Sequence, residues 1–343
     1  LPQKNKAAAS PLWLFLTEPG LARLLTLELK FRKIIAQKAR PKTLFLRNYD
    51  LLVLPDSQIT SKQVNTRLAL HVMACPVFGR FKISHAQLDG LAEAWRRAHP
   101  DGLVASIAGN TFQKQDLLRW VSKELGARGV TVPLGESSKK PVWFLAVDES
   151  YYFGLPRFNY HDAAGRARPT DRAGSLPPVI AAAMAFAAKP GRHDVVWDPV
   201  TGTGTVLREA AALMADAEFI GSDIDPKALA IARAALGKHK NIRLIDGDST
   251  SLDPGRTDLT LTLANLPFGK QFQPDGGTEP LYEALLRQSL KLAAPNWRAV
   301  LLTSDHAALR QAINAVGGLT LEKIAGLRTR GQAADIWLVT RSR

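Results

Sequence analysis

Between Val195 and Phe268 four apolar runs each end in a polar tip, and this stretch constrains the fold more than any other part of the chain. The first run, Val195-Val196-Trp197-Asp198, turns through Pro199-Val200-Thr201-Gly202-Thr203-Gly204-Thr205 into an Ala/Leu-rich helical pattern. The second, Phe219-Ile220-Gly221, ends in Ser222-Asp223-Ile224-Asp225. A third leads to Asp246-Gly247-Asp248, and Leu259 to Ala264 delivers Asn265-Leu266-Pro267-Phe268. Strands alternating with helices fold as a doubly wound, mostly parallel sheet, and such sheets bind ligands beyond the carboxyl ends of their strands.

The residue types at those tips narrow the ligand. Gly202 and Gly204 let the backbone turn tightly and approach a ligand with no side chain in the way. Asp223, about twenty residues further on, can accept hydrogen bonds from two ribose hydroxyls. A dinucleotide fits poorly, because the third glycine of G-x-G-x-x-G would fall at Leu207. A zwitterionic aminoacyl sulfonium carries no phosphate and asks only for room near the glycines and backbone donors facing its carboxylate. The expected cofactor is therefore S-adenosylmethionine.

Asn265-Leu266-Pro267-Phe268 has the pattern N-x-P-aromatic. An exocyclic base amine is a poor nucleophile because its lone pair is conjugated into the ring. Two acceptors that hold both N–H bonds steer that pair toward a sulfonium methyl; the Asn265 side-chain oxygen and the Leu266 carbonyl are the expected acceptors. Pro267 stiffens the turn. Phe268 offers a face for a flipped base, worth roughly 1–3 kcal/mol. A hydroxyl-directed enzyme would want a basic Lys or His here and a pyrimidine-carbon enzyme a Cys, and neither is present.

The net charge is +14, and residues 1–160 hold most of it, with 23 Lys/Arg against 12 Asp/Glu, whereas residues 161–343 have 22 against 19. Leu21 to Arg47 contains eight basic residues and one acid, Glu28, a density suited to phosphate neutralisation and hence to RNA. A single cysteine, Cys75, excludes an internal disulfide and a Cys-cluster zinc site, so no metal is expected, and the compartment reads as reducing and cytoplasmic. No run approaches a membrane span.

Leu12 to Leu54 reads as helix then short strand, with Leu44-Phe45-Leu46 and Leu51–Leu54 able to pair as a hairpin. A helix after Ser84 places Leu88, Leu91 and Trp95 on one face, and Leu103–Ala108 follows as a strand. A second helix, Gln113–Leu125, turns Lys114, Arg119 and Lys123 outward. Val130-Thr131-Val132, Val142–Val147 and Tyr151–Gly154 read as strands, and Pro156–Ser175, rich in Gly, Pro and Arg, as a linker. Beyond Phe268 come a helix at Glu279–Ala293, a strand at Ala299–Thr303, a helix at Asp305–Val316 and a closing antiparallel hairpin. Residues expected to touch RNA are Lys114, Arg119, Lys123, Arg128, Arg157, Arg166 and Arg168.

Three motifs carry a resemblance. Asp198–Thr205 resembles D-P-x-x-G-[ST]-G-T, Gly221–Pro226 resembles G-x-D-I-D-P, and Asn265–Gly269 resembles N-[LP]-P-[FY]-G of the THUMP-containing class I RNA methyltransferases, most closely their tRNA guanine-N2 enzymes. The resemblance implies an α/β fold with a C-terminal Rossmann-like domain (176–343) holding a seven-stranded mostly parallel sheet. Ahead of it would lie a ferredoxin-like region (1–60), an α+β THUMP domain (61–156) and a linker (157–175). It further implies a cofactor shell of Asp198, Thr201, Gly202, Gly204, Thr205, Asp223, Ile224, Asp248, Ser249 and Asn265, with Asp223 on the ribose and Asp248 on the adenine amine. Asn265, Leu266, Pro267 and Phe268 would position guanine while the THUMP domain grips the 3′ end of tRNA, the whole acting as a monomer. Competing expectations are an rRNA guanine-N2 enzyme, a DNA amino-methyltransferase, and an RNA-binding protein whose methyltransferase fold has decayed.

Overall fold

The computed structural model describes residues 12–45, 50–60, 73–81, 85–98, 100, 102–108, 114–132, 141–147, 150–154, 158–159, 176–189, 191, 193–268, 276–329 and 332–342. The chain forms two units, Leu1–Gly165 and Arg166–Arg343.

The first unit opens with a strand where a helix was expected. Leu12–Thr17 (β1) is an unbroken apolar run, buried from Trp13 onward because it lies between two neighbouring strands. A run with no polar alternation fits a buried strand as well as a helix, and only the pairing decides. The Leu-dense segment after it is the helix Ala22–Phe31 (α1), which buries Leu24, Leu25, Glu28 and Leu29. Its N-cap residue, Leu21, offers no side-chain acceptor. Asp50 substitutes from a distant strand, accepting the N–H groups of Gly20 (2.9 Å) and Ala22 (3.3 Å). Burial pushes the Asp50 carboxyl above its usual range, against the pull of those two N–H groups. Lys42–Phe45 (β2) and Asp50–Pro55 (β3) form the anticipated antiparallel pair.

The unit continues through Met73–Phe81 (β4), His85–Ala98 (α2), Gly102–Ala108 (β5), Lys114–Gly126 (α3), Pro141–Val147 (β6), Ser150–Gly154 (β7) and Phe158–Asn159 (β8). The strand order is β2-β3-β1-β4-β7-β6-β5, with β8 pairing β4 at one side. β1 therefore joins the strands of the first sixty residues to those that follow in one sheet. Within the stretch read as a linker, Phe158 and Asn159 pair with Ala74 and Met73. Val130-Thr131-Val132, expected as a strand, follows α3 as irregular chain. Its two valines are buried against Leu88, Leu91, Trp95, Val121 and Leu125 of α2 and α3, so packing on helices and not ladder pairing accounts for their hydrophobicity.

The second unit begins with Pro178–Ala187 (α4), buried along nearly its whole length. Val195–Asp198 (β9), Thr205–Leu213 (α5), Glu218–Asp223 (β10), Pro226–Leu236 (α6), Ile242–Asp246 (β11), Leu259–Asn265 (β12), Thr278–Lys291 (α7), Ala293–Thr303 (β13), His306–Val316 (α8), Leu319–Thr329 (β14) and Gln332–Arg341 (β15) follow. Their sheet has seven strands in the order β11-β10-β9-β12-β13-β15-β14. Pairs from β11 to β13 are parallel, whereas β15 runs antiparallel to both β13 and β14. The final hairpin thus inserts its second strand inside the sheet. Chain order reverses at β9, between β10 and β12, and such a switch point opens a crevice at the carboxyl ends of the strands.

Candidate active site

The four polar tips come together at that crevice because β11, β10, β9 and β12 are consecutive neighbours. The loop after β9 is held from both sides. The Thr201 N–H donates to the Ser222 carbonyl of β10 (3.0 Å), and its hydroxyl donates back to the Asp198 carbonyl (3.0 Å). Gly202 N–H donates to Asp223 Oδ2 at 2.6 Å, and Asp225 N–H to Asp223 Oδ1 at 2.9 Å. Asp223 therefore fastens the first loop to the second strand end while remaining half-buried at the crevice. Ile224, beside it, is an apolar side chain left 71% exposed.

The two glycines do different work, where the sequence suggested one role for both. Each has a positive φ, 56° at Gly202 and 81° at Gly204. Among the described residues a Cβ at Gly202 would meet nothing within 4 Å, so open space faces that backbone there. At Gly204 a Cβ would lie 2.6 Å from Leu236 Cδ1 and 3.3 Å from Ala232 Cβ, so there the missing side chain lets α5 approach α6. Gly204 is also the N-cap of α5 and supplies no side-chain acceptor, leaving the first N–H groups of that helix directed at the crevice. Next to them the Thr205 hydroxyl is buried and has no hydrogen-bond partner among the described residues.

Asp198 and Ser249 are buried braces. The Asp198 carboxylate accepts the Val200 N–H (3.1 Å), and burial pushes its pKa well above the usual range, with the nearby Asp223 charge adding to the rise. Ser249 shares a 2.7 Å hydrogen bond with Ser222, which accepts Trp197 Nε1–H at 2.9 Å, so a buried polar chain joins the ends of β9, β10 and the segment after β11. Asp248 is exposed, and its Oδ1 accepts both the N–H (2.9 Å) and the hydroxyl (2.8 Å) of Thr250. Thr201, with its hydroxyl bonded inward, is likewise buried.

At the end of β12 the Asn265 side-chain oxygen is buried and has no hydrogen-bond partner among the described residues. An orphaned buried acceptor costs free energy and points to a donor that arrives with a ligand. Leu266 N–H donates to the Leu302 carbonyl (3.0 Å) and its side chain is buried, while Pro267 and Phe268 stay half-buried. The Pro267 carbonyl accepts the hydroxyl of Tyr282 (2.7 Å), a residue that no local sequence pattern singled out.

Among the basic residues of the first unit, Arg128 joins α2 to α3, with Nε on Asp89 (2.7 Å) and Nη1 on Glu124 (3.1 Å). Arg119 and Lys123 are exposed on α3. The side chain of Lys114, and Arg157, Arg166 and Arg168, lie outside the described residues.

Residues 166–326 match the family described as RMKL-like, methyltransferase domain. A tRNA (guanine(6)-N2)-methyltransferase of Thermus thermophilus is 37% identical over 145 residues, covering 41% of this chain and 43% of the relative. A U6 snRNA (guanine-N(2))-methyltransferase of Bos taurus, THUMPD2, is 28% identical over 168 residues, covering 48% of this chain and 32% of its own. The chain thus spans less than half the length of these curated relatives. The crystal structure of TrmN from Thermus thermophilus superposes with a TM-score of 0.77 at 24% identity, covering 96% of this chain and 99% of that one, and so shares the fold of both units. Among the described residues no helix is long and apolar enough to cross a membrane.

Proposed function

We propose that this protein methylates the exocyclic N2 amine of a guanosine in tRNA, using S-adenosylmethionine. The observation that carries the reading is the buried Asn265 oxygen at the tip of β12, unpartnered among the described residues and neighbour of the β9 loop whose Gly202 has open space beside it among those same residues. The names of the relatives support the amine and the substrate class.

When bound, S-adenosylmethionine supplies an electrophilic methyl group. The chain supplies the rest. The free N–H groups at the start of α5 and the Thr205 hydroxyl suit a carboxylate; Asp223 and Asp248 suit ribose hydroxyls and an adenine amine, with Ile224 as an apolar face beside them. Asn265 Oδ1 and the Leu266 carbonyl accept the two N–H bonds of the guanine amine, which turns its lone pair out of conjugation. Phe268 stacks on the base. Once methylated, the amine would be cationic and acidic enough to lose its proton to water, so no strong base is required of the chain. Orientation of this kind is worth many powers of ten in rate.

In the first unit we read residues 61–156 as a THUMP domain and 1–60 as a ferredoxin-like region that together hold the single-stranded 3′ end of tRNA and set its distance from an acceptor-stem guanosine. Arg119 and Lys123 on α3, together with the basic residues from Arg157 to Arg168, are the proposed phosphate contacts. The protein would act as a cytoplasmic monomer. The named relatives act on tRNA or U6 snRNA and give the rRNA reading no support.

Incubating the purified chain with S-adenosylmethionine and bulk tRNA, then digesting to nucleosides for mass spectrometry, should yield N2-methylguanosine. Parallel reactions with U6 snRNA and with tRNA lacking its CCA end should be far weaker. Equal methylation of U6 snRNA would shift the substrate assignment, and no methylated guanosine from any RNA would end it.

A further inference from the structure

The Asn265–Phe268 turn is fixed on both flanks, and the second flank depends on side chains outside the motif. Before the turn, Leu266 N–H donates to the Leu302 carbonyl of β13. After it, Tyr282 of α7 donates its hydroxyl proton to the Pro267 carbonyl at 2.7 Å. A carbonyl can only accept, so the direction of that bond is set. The phenol oxygen is then left to accept the Thr303 hydroxyl at 2.9 Å, and Thr303 Oγ1 in turn accepts the Asp305 N–H at 2.9 Å. Asp305 is itself held: its Oδ2 accepts the Thr278 hydroxyl at 2.5 Å and its Oδ1 accepts the Ala308 N–H at 3.0 Å. A one-way chain of donors therefore runs from the N-terminus of α8 through β13 and α7 to the carbonyl between Pro267 and Phe268.

Tyr282 is 1% exposed and Thr303 is fully buried, so water cannot replace either hydroxyl. Burial pushes the Tyr282 phenol up to about 12, which keeps it a donor throughout the working pH range. The proton it donates fixes the plane of the Pro267–Phe268 peptide. That plane sets where the Phe268 ring lies and, through the stiff proline, where the Leu266 carbonyl points.

We propose that Tyr282, backed by Thr303, is a positioning residue for methyl transfer: its hydroxyl holds the Pro267 carbonyl so that the acceptors at Asn265 and Leu266 and the ring of Phe268 sit in reactive register. Neither residue touches the base or the cofactor. The inference rests on the function proposed above, and an angstrom of misplacement at such a site costs on the order of a hundredfold in rate.

The test uses the full chain. Tyr282→Phe removes one oxygen and keeps the ring that fills the core. Its single-turnover methylation rate should fall about ten- to a hundredfold, while calorimetric S-adenosylmethionine affinity and tRNA affinity stay within about twofold of wild type. Thr303→Val should lower the rate in the same direction, Thr303→Ser should restore it, and the Tyr282→Phe/Thr303→Val double variant should be no worse than the slower single one, because both break one chain. Rates are scaled to the folded fraction from calorimetry, so lost stability alone cannot mimic the effect. A wild-type rate in Tyr282→Phe, or a Thr303→Ser variant as slow as Thr303→Val, would overturn the inference with the enzyme's activity intact. Absence of methylation by the wild type would instead overturn the function on which it rests.

Discussion

Gly202 and Gly204 stand two residues apart in one loop, both at positive φ, and alanine should separate them. At either position an L-residue in the left-handed region costs about 1–2 kcal/mol. At Gly202 that is the whole structural cost, since a Cβ there meets nothing within 4 Å among the described residues. At Gly204 the new methyl would sit 2.6 Å from Leu236 Cδ1 and 3.3 Å from Ala232 Cβ, in a buried contact between α5 and α6. Forcing that contact apart adds about 1–3 kcal/mol. Gly204→Ala should therefore lose about 2–5 kcal/mol, lowering Tm by on the order of 10 °C, against a few degrees for Gly202→Ala. Ligand binding should run the other way per folded molecule. On the proposed function, the Gly202 methyl would enter the cofactor's space and should weaken S-adenosylmethionine at least about tenfold, ~1.4 kcal/mol. Scanning calorimetry of the full chain and titration calorimetry with S-adenosylmethionine read the two effects. Equal Tm values for the two variants, or wild-type affinity in Gly202→Ala, would refute the division of labour.

Two further predictions follow from buried carboxylates. Asp198 has a raised folded-state pKa, so in its ionised form it weakens the fold progressively as pH rises above about 3.9 and through the folded value. Asp198→Asn keeps the acceptor for Val200 N–H and should be at least as stable as wild type at pH 7 by thermal melts, with the difference fading near pH 4; a clear loss at pH 7 would count against this. Asp194 is the opposite case: burial alone would raise it, but hydrogen bonds from Arg298, Thr260 and Gly191 hold it below its usual range. Its contribution is present above about pH 3.9 and is lost as pH falls toward the folded value. Arg298 also reaches the carbonyls of Ala188, Lys189 and Thr260, so Arg298→Ala strands a buried carboxylate and should cost about 3–5 kcal/mol at pH 7. That deficit should shrink on acidification; a deficit independent of pH would show that the charge is not its source.

The second unit was legible in the sequence because its signals are local. A strand, a glycine turn and a helix follow one another without a gap at Val195–Leu213, and Asp225-Pro226 caps and opens α6 as the pattern implies, with the Asp225 side chain accepting Lys227 N–H. The first unit resisted because its signals depend on partners distant in the chain. β1 has no alternation and is recognisable only from its pairing with β3 and β4, and the start of α1 is capped by Asp50 from 28 residues away. The candidate site failed to read fully for the same reason. Spacing placed Asp223 and Asn265 at strand ends, yet it could not show that Asp198 and Ser249 turn inward, that Arg128 pairs with Asp89 and Glu124, or that Tyr282 reaches Pro267 across 15 residues. Each of those facts is a side-chain direction set by packing.

Asn265 is the decisive residue, because its buried oxygen has no hydrogen-bond partner among the described residues. Single-turnover methylation of tRNA by Asn265→Ala, measured at saturating S-adenosylmethionine beside a binding titration, should show a rate reduced by about a hundredfold or more with cofactor affinity within a few-fold of wild type. A variant that forms N2-methylguanosine at the wild-type rate would contradict it.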